Sequence, residues 1–206
     1  MAIQYTVRAN VVDLRSDTPT SSDSFLVDTN VWYWMTYSNA SLSSIPYQTS
    51  DYPGYIAKCL ANKSKLLRCN LSFPEIAHII ERNELTIYNQ TSNSTVKTKQ
   101  FRHNMPQERT RVVTEIATAW GQVKSMAQMI EASPINELAT DTALVQMKSD
   151  RVDGYDLFIL QSAEENGVSQ IITDDGDYCT IPNITIFTAN QNVIAAASTQ
   201  NKLIKR

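Results

Sequence analysis

The sequence predicts an α/β layer structure built on a mostly parallel sheet. Short apolar runs of strand length alternate with stretches of helical periodicity, which implies helical crossovers between parallel strands. Those runs are Phe25-Leu26-Val27, Lys65–Leu71, Ser169–Thr173 and Thr185–Phe187. Two of them end in acid. Asp28-Thr29-Asn30 follows Phe25–Val27, and Thr173-Asp174-Asp175-Gly176-Asp177 follows Ile171-Ile172.

Taken in order, residues 1–22 are polar with weak periodicity and read as an N-terminal arm. Phe25–Val27 begins the first buried strand. Val31–Tyr37 is aromatic-rich and helical, with Thr29 or Asn30 as cap. Residues 38–51 form a loop, and Asp51-Tyr52-Pro53 opens a helix to about Ala61 with the proline in its first turn. After the strand at Lys65–Leu71, Ser72-Phe73-Pro74-Glu75 is a capping box that opens a helix to about Asn83. Thr86–Gln100 is polar and carries no clear period. Arg109–Ile130 has helical spacing through Val112, Ile116, Ala119, Val123 and Met126. Pro134 interrupts, and Ile135–Lys148 forms a further helix. Asp153 caps a helix over Gly154–Asn166, which Gly167 ends. The strands Ser169–Thr173 and Thr185–Phe187 follow, and a terminal helix begins near Gln191. The domain therefore spans 23–190, with a long middle segment at about 86–150 and a tail at 191–206.

Composition bounds the function. A chain of 206 residues can bury a core without disulfides. Its 42% hydrophobic and 19% charged residues are those of a globular protein. A net charge of −3 argues against whole-surface binding of nucleic acid, though not against a local basic groove. Cys59, Cys69 and Cys179 lack CxxC spacing, which disfavours zinc and fits a reducing cytosol. No secretion signal and no membrane span are expected, so the expected location is cytoplasmic.

The parallel topology has a geometric consequence. Carboxyl ends of strands and amino ends of the following helices share one edge of the sheet, where open α/β folds bind ligands. Asp28 and Asp175 stand at strand ends; Glu75 and Asp156 stand in first turns of helices. All four are expected to face one crevice. Gathered carboxylates repel one another unless a cation holds them, and a hard cation such as magnesium is the usual solution. Each acid also has a structural reading: Glu75 closes the box with Ser72, Asp156 favours a helix dipole, Asp153 is a cap, and Asp174–Asp177 is a turn. Asp28 is hardest to explain this way, because a strand end rarely needs an acid.

These residues resemble the PIN-domain nuclease pattern over roughly residues 24–190. The matching elements are Leu26-Val27-Asp28-Thr29-Asn30, Ser72-Phe73-Pro74-Glu75, Asp156 with Ile159 and Ala163, and Ile172-Thr173-Asp174-Asp175-Gly176-Asp177-Tyr178. The resemblance implies a three-layer α/β/α fold and a Mg2+- or Mn2+-dependent endoribonuclease, similar to the VapC-type toxins of toxin–antitoxin pairs. It carries the acidic quartet onto Asp28, Glu75, Asp156 and Asp175, with Asp177 as a fifth acid. Asp28 and Asp175 are then the main metal ligands, with Asp156 and Asp177 beside them. Glu75 holds a water or a second ion, and Asn30 and Thr173 orient carboxylates. RNA is the implied substrate, a small antitoxin a partner, and a homodimer the assembly. The arm and the long middle segment depart from the compact toxin pattern.

Lys97, Lys99, Arg102, Arg109 and Arg111 form a local basic stretch, opposed within it only by Glu108. It reads either as an RNA phosphate contact or as a solvated face. His78 and His103 do not suggest paired acid–base chemistry, and neither GxGxxG nor GxxxxGK occurs. Two other functions compete. A phosphatase of the haloacid dehalogenase type would use Asp28 as nucleophile, but Asn30 stands where that chemistry wants a second acid. A non-catalytic RNA- or protein-binding scaffold would have no use for the full acidic set.

Overall fold

The computed structural model describes residues 3–206. Six strands form one parallel sheet: β1 (Asn10–Asp13), β2 (Ser24–Val27), β3 (Lys65–Arg68), β4 (Gln128–Met129), β5 (Gln170–Ile172) and β6 (Thr185–Thr188). Their order is β1-β6-β5-β2-β3-β4. Eight α-helices connect and flank them: α1 (Thr29–Thr36), α2 (Pro46–Ala61), α3 (Ser72–Thr91), α4 (Thr98–Asn104), α5 (Pro106–Met126), α6 (Glu137–Gln146), α7 (Gly154–Glu165) and α8 (Gln191–Thr199). The architecture is three-layer α/β/α.

The alternation of side chains along each strand sorts the core into two layers. Phe25, Val27, Leu66, Ile172 and Phe187 face one side, where they meet Trp32 of α1, Tyr55 of α2, Ile76 of α3 and Val123 of α5. Leu26, Leu67, Ile171 and Ile186 face the other, against Ala143 of α6, Leu157 of α7 and Val193 of α8. Such strands, buried on both faces, read as continuous apolar runs rather than alternating ones. Phe25 and Phe187 meet edge to face, with ring centroids 4.8 Å apart. Each fully buried side chain of this size contributes roughly 1.5–3 kcal/mol.

Several boundaries differ from the sequence reading. Within the segment read as an arm, β1 pairs along β6 in the register Asn10↔Thr185 to Asp13↔Thr188. Val7, Ala9, Val11, Val12 and Leu14 are buried. The two-residue apolar run Val11-Val12 is too short to announce a strand, and the neighbouring sheet supplies the stabilisation its propensity lacks. Residues 1 and 2 of that arm lie outside the described residues. Helix α2 starts at Pro46 rather than near Asp51, with Gln48 Oε1 accepting from the Ile45 N–H at 2.9 Å. Pro53 therefore sits in the helix interior. Helix α3 runs on to Thr91, into the stretch without a clear period, and α4 begins at Thr98 near that stretch's end. Tyr88 of α3 packs on Phe101 of α4, an aromatic contact no local window reveals. The last residues of the predicted helix before Ile130 peel off into β4, a two-residue edge strand beside β3. The tail is also integrated. Beyond α8, Leu203 bridges Val11 in parallel, and Arg206 pairs with Asp17 and Asp23. No helix among the described residues is long and apolar enough to cross a membrane.

Candidate functional site

Strand order reverses at β2. The chain runs outward from β2 to β3 and β4, then returns to place β5 on the other side of β2. Connections leaving β2 and β5 diverge there, and the carboxyl ends of the strands at such a switch point are where open α/β folds bind ligands. Asp28 is the first residue after β2, and Asp175 is the third after β5.

Asp28 occupies the N-cap position of α1 but makes no side-chain cap bond. Its carboxylate is buried, 7% exposed, and Oδ2 accepts from the Thr173 hydroxyl at 2.8 Å. The same Thr173 oxygen accepts the Asp175 N–H at 2.9 Å. Thr173 thus ties the two strand-end acids together. Asp175 Oδ1 in turn accepts the Asp177 N–H at 2.8 Å, which folds the acidic stretch into a 3-10 turn at Gly176–Thr180.

The expected capping box at Glu75 does not form. Ser72 is already the first helical residue of α3, and the N-cap is Leu71, without a side-chain cap. Glu75 Oε2 instead accepts from the Thr29 hydroxyl at 2.5 Å, so the side chain reaches across to α1. At α7 the roles divide. Asp153 Oδ1 caps the helix through the Tyr155 and Asp156 N–H groups, at 2.9 and 3.1 Å. Asp156, relieved of capping, is 7% exposed and accepts from the buried Tyr178 hydroxyl at 2.6 Å.

Oxygens of Glu75, Asp153 and Asp156 all lie within 4.8 Å of one another, close enough to share a cation. Asp28 and Asp175, expected to be the main ligands, stand outside this trio. Both remain within reach of its charges. Burial, above all, pushes the Asp28 carboxyl well above the ordinary range; the Asp175 and Glu75 charges add to it, while the Thr173 bond opposes. Burial and then the Asp28 charge raise Asp156 against the Tyr178 bond. Burial raises Glu75, with Asp153 adding and Thr29 opposing. Burial likewise leads for Asp175, opposed by the Asp177 N–H and helped by Asp153 and Asp174. Asp177, half-buried at the rim, is raised by burial and by Asp175 and Asp153. Five acids from four separate stretches of chain are therefore raised at one place, first by burial and then by neighbouring carboxylates.

Some supporting residues are ones the sequence reading passed over. Thr29, read as a possible cap, is the member of the Asp-Thr-Asn triplet that holds a carboxylate; Asn30 makes no side-chain hydrogen bond among the described residues. Asp153, read as a cap rather than a ligand, both caps and joins the acidic trio. Its spacing three residues before Asp156 was the available signal, since residues i and i+3 share a helix face. Asp174 points away from the other acids. It accepts from Tyr52 Oη at 2.6 Å, from Gln48 Nε2 at 2.8 Å and from Tyr47 Oη at 3.0 Å, all on α2.

The basic stretch has a structural occupation. Arg102 and Arg109 both pair with Glu81, and Arg111 pairs with Glu84 at 2.9 Å and Glu108 at 2.8 Å. Glu81 and Glu84 are buried on α3, outside the basic stretch itself. Lys97 and Lys99 are exposed and make no ion pair among the described residues. A free phosphate-binding face is thereby reduced to those lysines and to the outer edges of three engaged arginines. Compared with known proteins, the chain matches no family model and no curated sequence.

Proposed function

We propose that this protein is a divalent-metal-dependent ribonuclease, acting through the carboxylates at the β2–β5 crevice. The observation that carries the reading is the convergence of Asp28, Glu75, Asp156 and Asp175 at the switch point of a parallel sheet, joined there by Asp153. A structural ensemble of acids would be dispersed or paired with cations. Here the acids are raised first by burial and then by one another's charges, a cost to folding that a bound cation would offset.

The donor set fits a hard ion. Every candidate ligand is a carboxylate oxygen, the chemistry magnesium and manganese prefer, and no histidine or cysteine stands among them. Glu75, Asp153 and Asp156 would hold the ion, with Asp28 and Asp175 alongside. When bound, such an ion lowers the pKa of a coordinated water and neutralises charge on a phosphodiester. The remaining work belongs to the chain. Thr173 holds Asp28 and the Asp175 backbone in one geometry, Thr29 fixes Glu75, and Tyr178 fixes Asp156. These hydroxyls also compensate the carboxylates for lost solvent and restrict their rotamers. RNA as substrate, and control by a small antitoxin or a dimer, rest on the resemblance to PIN-domain nucleases.

Asp28→Asn and Asp156→Asn test the reading directly. Changes behind metal ligands cost 10–100-fold, so changing a ligand carboxylate should cost at least about 100-fold in manganese-dependent RNA cleavage. Circular dichroism should show the fold intact. Cleavage at the wild-type rate in both variants would remove the site from the reaction.

A further inference from the structure

The segment 3–9 runs along the rim of the acidic turn and is tied down on two sides. The Arg8 and Ala9 N–H groups both donate to the Cys179 carbonyl, at 2.8 and 3.1 Å. Gln200, just beyond α8, takes the Val7 N–H on Oε1 and donates Nε2 to the Tyr5 carbonyl, each at 2.9 Å. Val7 and Ala9 are buried beneath. These ties place the Tyr5 ring directly on Gly176, the residue between Asp175 and Asp177. A Cβ at Gly176 would lie 2.5 Å from Tyr5 Cζ and Oη, closer than any real side chain tolerates. The backbone there is not left-handed, so a Cβ at Gly176 would displace the ring rather than strain the turn. A cavity of about 190 Å3 opens beside this contact, its lining including Tyr5, Arg8, Arg151, Asp177 and Thr180. Burial and then the Asp177, Cys179 and Asp175 charges raise the Tyr5 phenol, in keeping with its place on the acidic rim.

We infer that the segment 3–9 is a wall of the acidic site, and that Tyr5 is a positioning residue which holds Asp175 and Asp177 through its contact with Gly176. The physical reason is the turn's own repulsion. Asp174, Asp175 and Asp177 crowd one short loop, and mutual repulsion favours spreading it. Asp174 is anchored at one end by α2 through Tyr47, Gln48 and Tyr52. The Tyr5 ring bears on Gly176 in the middle of the loop, so Asp175 before it and Asp177 after it are presented in one arrangement. The inference rests on the metal-binding reading above, and deepens it by adding a segment far from the acidic motifs in sequence.

Titration of manganese into the full chain by calorimetry tests it, with Tyr5→Ala, Tyr5→Phe and Gly176→Ala beside the wild type. Tyr5→Ala removes the ring, and Gly176→Ala displaces it from the other side of the contact. Both should lose about 10-fold or more in manganese affinity, the usual cost of disturbing residues behind metal ligands. Tyr5→Phe keeps the ring and should titrate like the wild type. Unchanged affinity in both alanine variants overturns the positioning role, even if their melting temperatures drop. Loss in Tyr5→Phe equal to that in Tyr5→Ala overturns it too, since the hydroxyl and not the packing would then matter. A wild type that binds no manganese overturns the metal reading itself, an outcome distinct from both.

Discussion

At Asp28 a carboxylate sits under the surface with one oxygen on the Thr173 hydroxyl and the charges of Asp175 and Glu75 nearby. Such a group is stable in the fold mainly when protonated or when a cation is present. The sign of its pH dependence follows. In the unfolded chain Asp28 and Asp156 ionise near the usual value of about 3.9, whereas in the fold both hold their protons to higher pH. Their contribution is fully present below the unfolded value and is lost as pH rises through the raised one. The metal-free protein should therefore melt at a lower temperature at about pH 8 than at about pH 5.5. Asp28→Asn should flatten that slope, and manganese should reverse it by binding the ionised form. A thermal scan in chelator that shows stability rising over this interval would contradict the arrangement.

Among the elements, α3 carries the heaviest polar load. Its Glu84 lies buried, accepting from the buried Tyr37 hydroxyl at 2.6 Å and from Asn39, and pairing with Arg111. Its Glu81 is equally buried, but its partners Arg102 and Arg109 keep 43% and 44% of their side chains in solvent. The two acids should respond differently to truncation. Glu84→Ala strands the Tyr37 hydroxyl away from water and should cost about 2–3 kcal/mol. Glu81→Ala lets both arginines rehydrate and should cost about 1 kcal/mol or less. Urea unfolding of the two variants checks the order, and a larger loss for Glu81→Ala would show that α3, α4 and α5 are held differently. Element by element, the helices with a sharp local signal were legible. Asp153 and Gly167 bracket α7 as expected, and Gly167 takes the left-handed conformation, φ 68°, that favours glycine. Where the signal was ambiguous, distant contacts decided. Ser72 and Glu75 have the right spacing for a box, yet Thr29 outbids the local backbone for the carboxylate.

At the scale of the whole molecule, the last residue docks beside the entry to β2. Arg206 donates to Asp17 and Asp23, both buried, and its guanidinium lies 4.6 Å from the Phe187 ring centroid. Burial pushes Asp23 up, but the Arg206 guanidinium, with Thr20 and Gln170, more than offsets it and leaves the carboxyl at about 2. Removing the guanidinium leaves buried charge unpaired, so Arg206→Ala should cost about 3 kcal/mol at neutral pH. For a lowered acid the contribution is present above the unfolded pKa and lost as pH falls through the folded one. The penalty should accordingly shrink as pH approaches about 2. A penalty that is absent at neutral pH, in matched unfolding curves, would show the clasp to be ornamental.

By itself the sequence determined the layer architecture, the helix ends marked by Asp153 and Gly167, and which acids would share an edge. These follow from periodicity, capping chemistry and the rule that parallel strands present their carboxyl ends together. It left undecided which hydroxyls hold those acids, whether Asp153 joins them, and where the basic residues find their counter-charges. Only the tertiary structure decided those, because each depends on side chains dozens of residues apart, and no local pattern encodes a contact whose partner lies on another element. Tyr5 on Gly176 is the sharpest case: both residues look ordinary in the sequence, and only the packing of β1 beside β6 brings them together.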